Sequence, residues 1–212
     1  MAEGGVLRMP NSPLWPWGQN TNKIELKRSV SLQKKDETFH PYTRIAFVWN
    51  TVWMIDHDKG TVYQYNTKGD FLSELQLNKD IKKPRTVIAL DSKVGIIAAS
   101  SGLYVINNEG ELRKRIISGD FSDVCLVGNI VYALEYQHGK VIRFNVQLGD
   151  LQKKDEIMLN NYSNENKCSG QHYTNTFKVV DDKIYVAMCY SQRIVHYDIG
   201  GRKRGVLRQE DN

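Results

Sequence analysis

Short apolar runs, some alternating with polar residues and some continuous, are separated along this chain by glycine, Asn and Asp. The clearest unit is GTVYQYNTKG at 60–69, where a β-prone run ends in Tyr65-Asn66 and is followed by a glycine turn. Three further copies are GLYVINNEG at 102–110, KVIRFNVQLG at 140–149 and RIVHYDIGG at 193–201. Each ends its apolar run in an aromatic or aliphatic residue followed by Asn or Asp: Tyr65-Asn66, Ile106-Asn107, Phe144-Asn145 and Tyr197-Asp198. The intervals between them are 41, 38 and 53 residues. A period near 40 residues that holds several strands predicts an all-β chain of β-propeller blades.

Four blades of four strands each are expected, at about 43–77, 85–118, 122–159 and 176–208. Within each, the first two strands are nearly continuous apolar runs and the fourth alternates with Lys, Arg and Glu. Because a strand covered on both faces reads as a continuous apolar run, the blades are predicted to run from centre to rim with burial falling outward. Residues 1–21, with Trp15 and Trp17 among prolines, read as an extended leader before a propeller domain at 22–212. The alternating stretch KIELKRSVSL at 23–32 is the candidate extra strand that closes the ring. Four blades are short of six, so the chain is either a compact small propeller or an open arc of an incomplete six-bladed ring. An open arc would leave edge strands available for self-association.

Composition narrows the class without naming a ligand. A chain of 212 residues, 41% hydrophobic and 25% charged, can bury a core as one domain. The net charge of +5 is compatible with an acidic partner but small enough to serve solubility alone. Three cysteines without a CxxC pair, Cys125, Cys168 and Cys189, imply no disulfide framework. No segment has the apolar length of a membrane span and the N-terminus lacks the apolar stretch of a signal peptide, so cytoplasmic residence without membrane contact is the expectation.

The blade grammar resembles the NHL class of propeller repeats, in particular the C-terminal propeller of invertebrate tripartite-motif NHL proteins. The resemblance rests on VWMIDHDKGTVYQYNTKGDFLSEL at 52–75, GDFSDVCLVGNIVYALEYQHGKVIRF at 119–144 and NTFKVVDDKIYVAMCYSQRIVHYD at 175–198. It implies a binding platform: some members of that family hold RNA on one face of the ring and others hold proteins. The Cys- and His-dense zinc modules of the family are absent from this chain, so ubiquitin-ligase activity does not carry over.

In a propeller the loops between second and third strands emerge on the same face as the connections between blades. That geometry gathers Tyr42, Arg44, His57, Lys82, Lys83, Arg85, Tyr136, His138, His172, Tyr173, Tyr190 and Arg193 toward one surface. Aromatic rings among cations suit single-stranded RNA, where bases stack and phosphates meet charge. The same mixture suits a protein partner. Of these two, a protein partner on the loop face is the first expectation and single-stranded RNA the alternative. A metal-dependent lactonase or lyase is the third reading. It asks for ligands at the starts of the inner strands, where Arg44, Thr86, Asp123 and Thr176 stand and only Asp123 is a natural calcium ligand. No metal site, cofactor or catalytic residue is therefore expected.

Overall fold

The computed structural model describes residues 44–147, 150–162, 175–188 and 193–207. The leader, the 23–32 strand, Tyr42, His172, Tyr173, Tyr190, Cys168 and Cys189 lie outside them.

Sixteen strands form four antiparallel sheets of four, each a meander in chain order. The first blade holds β1 (Arg44–Val48), β2 (Thr51–Asp56), β3 (Thr61–Tyr65) and β4 (Phe71–Gln76). The second holds β5 (Pro84–Ala89), β6 (Val94–Ala99), β7 (Gly102–Asn107) and β8 (Leu112–Ile117). The third holds β9 (Phe121–Val127), β10 (Ile130–Glu135), β11 (Lys140–Gln147) and β12 (Asp150–Met158). The fourth holds β13 (Thr176–Val180), β14 (Lys183–Met188), β15 (Arg193–Asp198) and β16 (Lys203–Leu207). The first strands touch in series, β1 with β5, β5 with β9 and β9 with β13, and their last residues wall one shared cavity. This is β-propeller architecture with the first strand of each blade innermost.

In three of the four copies the repeated Asn or Asp builds a turn, whereas Asn145 lies within β11, paired with Gln152. Asn66 Oδ1 accepts the amides of Lys68 (2.8 Å) and Asp70 (2.9 Å), and Asn107 Oδ1 accepts those of Glu109 (3.1 Å) and Glu111 (2.8 Å). Asp198 Oδ1 does the same for Gly200 and Arg202, both at 3.0 Å. Each of these turns sets a glycine three residues on in the left-handed region, with φ of 93° at Gly69, 80° at Gly110 and 82° at Gly201, where a side chain would be strained. The short hairpins between first and second strands of the outer two blades solve the same problem without glycine. Trp49-Asn50 and Asp181-Asp182 both take left-handed dihedrals, the geometry of the two-residue turn that matches strand twist.

Three apolar layers lie between successive blades. Along β6 and β7, alternate side chains serve two of them: Ile97, Ala99, Tyr104 and Ile106 face the first blade, and Ile96, Ala98, Leu103 and Val105 face the third. Both strands are consequently buried at every residue. The third layer joins Tyr132, Leu134 and Val141 to Phe177, Ile184 and Val195. The expected fall of burial from centre to rim holds at the rim, where the fourth strands are largely exposed or half-buried, and is corrected at the centre. In the second blade the two middle strands are the most buried, while β1 and β13 alternate between covered and wet residues. Each innermost strand lies at the edge of its sheet. On β1 and β13, in the first and last described blades, one face packs on the neighbouring blade and the other carries the wet residues, among them Ile45, Phe47 and Val180. On the face of the first blade turned away from the second, Met54, Tyr63 and Tyr65 make a separate buried cluster.

Candidate functional site

The strand-start end of the propeller is a network of straps between blades. Loops between second and third strands bond directly to the connections between blades: Ser100 N to Lys82 O at 3.1 Å, Lys82 N to Ser101 Oγ at 2.9 Å, and Tyr136 N to Asp120 O at 2.8 Å. The two kinds of loop therefore share one face, and Arg44, His57, Lys82, Lys83, Arg85, Tyr136, His138 and Arg193 all fall at that end of their strands or in those loops.

Several of these side chains are committed to the fold. Arg85 is 5% exposed; its Nη1 pairs with the Asp120 carboxylate and donates to the Phe121 carbonyl at 2.9 Å, and its guanidinium lies 6.0 Å from the centre of the Tyr136 ring. Buried charge persists only with such partners. Arg44 Nη1 reaches from β1 to the Ser122 carbonyl at 3.3 Å. Asp123, the one calcium-type ligand at a strand start, accepts from Thr176 Oγ1 and from the Phe177 amide at 3.0 Å, so its carboxylate ties the third blade to the fourth. Asp56 Oδ1 accepts the amides of Asp58 and Lys59 at 3.1 and 3.0 Å, a turn-building role. The exposed members are Lys82, Lys83 and His138, the last of them 3.4 Å from Glu135 Oε2, which also meets Lys140 Nζ at 3.2 Å. Lys83 takes a left-handed φ of 50° before Pro84. Among the described residues no three His, Cys, Asp or Glu side chains converge.

His57 is buried beneath this face, and its Nδ1 donates to the Pro84 carbonyl at 3.3 Å. Burial, and then the charge of Arg85, push its pKa below the ordinary 6.5, outweighing the Pro84 bond and Asp58. The unfolded chain binds a proton here that the folded chain refuses. The His57 contribution to stability is therefore complete above about pH 6.5 and shrinks as pH falls below it. Melting curves between pH 7.5 and 5 should show a loss on acidification that the His57→Gln variant shows to a smaller degree; equal slopes in both proteins would remove His57 from the account.

The opposite end of the propeller, where the hairpins between first and second strands lie, was not singled out by sequence. There the last residues of β1, β5, β9 and β13 border an open cavity of 330 Å³. Phe47 on its wall is 63% exposed, Leu126 36% and Val127 41%. Trp49 Nε1 donates to the Asp91 carbonyl at 2.7 Å, tying the first hairpin to the second. Below the wall, Cys125 is buried, and burial pushes its thiol up to about 12, which makes it an inert packing residue rather than a nucleophile. A signal for this end was present in the chain: FSDVCLV stays apolar to its last residue, and TFKVV carries one lysine among its apolar residues.

No known family matches the chain by sequence and no curated protein does. Solved structures do match by shape. A functionally unknown protein from Desulfotomaculum acetoxidans aligns with a TM-score of 0.56 at 13% identity, over 77% of this chain and 56% of that one. A catalytically inactive virginiamycin B lyase from Staphylococcus aureus, solved with quinupristin, aligns with a TM-score of 0.51 at 15% identity, over 79% and 55%. The glutaminyl cyclase of Myxococcus xanthus aligns with a TM-score of 0.53 at 14% identity, over 78% and 69%. In the first two alignments the chain spans a little over half the length of the solved protein. At such identities the likeness is one of fold: the chain is a β-propeller.

Proposed function

We propose that this chain is a non-catalytic protein-interaction module whose contact surface is the hairpin end of the ring. The observation that carries the reading is the exposure of Phe47, Leu126 and Val127 around one cavity. Apolar side chains clustered in water at the mouth of a cavity mark an interaction site more often than they mark solubility. The loop end offers less for recognition, because Arg44, His57, Arg85 and Asp123 are bonded between blades. The commitment of the Asp123 carboxylate to Thr176 and Phe177 likewise argues for binding over metal-dependent catalysis. The NHL-like grammar of the blades supports the same reading, since a binding platform is what that resemblance implies.

A photo-crosslinking amino acid placed in turn at Phe47, Leu126, Lys82 and His138 in living cells would test it. The expected result is a discrete protein adduct from Phe47 and Leu126 and none from Lys82 and His138. Adducts to RNA from Lys82 and His138, together with RNA binding that persists at near-physiological salt and is lost in Tyr136→Ala, would overturn it in favour of RNA recognition on the loop face.

A further inference from the structure

Strand register gives every blade an equivalent set of residues on the face it turns toward the next blade. Val62, Leu103 and Val141, the register partners of Ile55, Ala98 and Leu134, hold one such position in the first three blades, and all three are without exposure. In the fourth blade the same position is Ile194, partner of Ala187, and it is 41% exposed. Among the described residues no blade packs on this face. Val180 and Leu207, beside Ile194 on it, are open as well.

Two positions show that the face is more than a joint surface left bare. Where the other blades carry Ala46, Ile88 and Cys125, the fourth carries Lys178. Where they carry Thr51, Val94 and Ile130, it carries Lys183. Both lysines are exposed, and among the described residues neither has an ion-pair partner. Asp198, the register partner of Lys183, is held by Arg204 Nη2 at 2.7 Å. A further sheet packed here, from a second copy or elsewhere, would have to desolvate two ammonium groups, which is costly unless it brings an anion to each.

Two rings lie beside the lysines. Tyr185 and His196 are register partners on β14 and β15, both half-buried, with ring centroids 5.7 Å apart. His196 rests over Gly205, where a Cβ would stand 2.5 Å from its Nε2, so the rim strand leaves the ring a flat seat. Lys178, Tyr185 and His196 make one row across three strands, and Lys183 stands two residues before Tyr185 on the same face. Lys178 also borders the cavity, so this face and the hairpin end adjoin there.

Going beyond the protein-binding reading, we infer that the open face of the fourth blade binds single-stranded nucleic acid, with bases on Tyr185 and His196 and phosphates at Lys178 and Lys183. Bases stack on rings displayed by an open four-stranded sheet, and cations beside them meet the backbone. Unpaired lysines next to aromatic rings satisfy both halves of such a ligand, whereas a dry protein surface would satisfy only the apolar half.

The test titrates a labelled oligouridylate of about ten nucleotides into the full chain, followed by anisotropy, with inorganic polyphosphate of similar length as a competitor that offers charge alone. The RNA should bind at near-physiological salt, and polyphosphate should displace it only at a much higher concentration of phosphate groups. Tyr185→Ala should weaken RNA binding about tenfold, the worth of one base stack, and leave polyphosphate binding as it was. In the double variant Lys178→Gln, Lys183→Gln the slope of log K against log salt should fall by about 1.4, two phosphates of a single strand. Ile194→Asp, at a position already open to water, should weaken RNA binding by a factor similar to that of Tyr185→Ala, and Tyr136→Ala at the loop end should not change it. No binding at near-physiological salt, equal displacement by polyphosphate, or affinity unchanged in Tyr185→Ala and Ile194→Asp would each overturn the inference. A dimer in sedimentation that Ile194→Asp dissociates would give the face to a second copy and overturn it too. If crosslinks from Phe47 and Leu126 trap no protein while Tyr185→Ala still weakens RNA binding, the protein-binding reading falls and this one stands. RNA binding lost in Tyr136→Ala but not in Tyr185→Ala would move RNA to the loop end and overturn this one.

Discussion

Arg85→Ala should destabilise the protein by about 3 kcal/mol, read as a lower denaturation midpoint with an unchanged m-value. Two losses add up. The Phe121 carbonyl, on a residue with no exposure, is left buried without a donor, and Asp120 loses the cation that faces it. Asp120 is a quarter exposed and takes back water, which keeps the effect at the lower edge of the roughly 3–5 kcal/mol range for breaking a buried pair. Arg85→Lys should recover part of the loss, because it keeps a cation facing Asp120 while its shorter side chain stops short of the place of Nη1, the one nitrogen that makes both bonds. A change under about 1 kcal/mol for Arg85→Ala would place the pair among those that contribute little. The same figure governs the reading of binding experiments. Charge reversal at Arg85 would perturb the joint between the second and third blades, so any loss of RNA or protein binding would be ambiguous. Reversal at Lys82, an exposed side chain on the same face, leaves that joint intact.

Gly139→Ala should cost more, about 4 kcal/mol, or a fall in Tm of about 10 °C for a domain of this size. Gly139 has a φ of 62°, which alone costs an L-residue about 1–2 kcal/mol. A Cβ there would also stand 2.2 Å from Tyr162 Cγ and 2.4 Å from Cδ1, so the ring must leave its seat in the layer between the third and fourth blades. Its hydroxyl, which accepts from Asn175 Nδ2 at 2.8 Å, would leave with it. Gly128→Ala provides the internal control, since Gly128 has a similar φ of 59° but nothing within 4 Å of an added Cβ. It should show the conformational cost alone, about 1 kcal/mol. Thermal melts of the two variants side by side measure the Tyr162 contact as their difference. Equal losses would mean that the ring does not rest on Gly139.

Neither of these residues stood out in the sequence for the reason the structure gives. Arg85 read as a member of a binding face, because its position at a strand start beside a connecting loop is visible in the chain while its partners, 35 and 36 residues away, are not. Gly139 was given no role by the sequence. Its closeness to Tyr162 comes from the path of the chain after β12, a long-range contact that no local pattern encodes. Leu126 and Val127 read as core for a similar reason: they continue an apolar run, and that they emerge from the layer at the end of β9 depends on where the neighbouring blades stop.

What the sequence determined by itself is the blade. Alternation placed the strands, and in three of the four blades an Asn or Asp with glycine three residues on placed the turn between third and fourth strands, because an Asx turn and a left-handed glycine are properties of a few adjacent residues. The common face of the two loop classes followed from the meander alone. Burial was decided by tertiary structure. β6 and β7 are fully enclosed because their blade has neighbours on both sides, whereas β1 and β13 expose alternate residues. Packing between sheets also turned Arg44, Arg85 and Asp123 into straps and left Phe47, Leu126 and Val127 exposed around a cavity. Strand pattern is a local property of side-chain alternation; which side chains remain in water is set by the surfaces that distant blades cover.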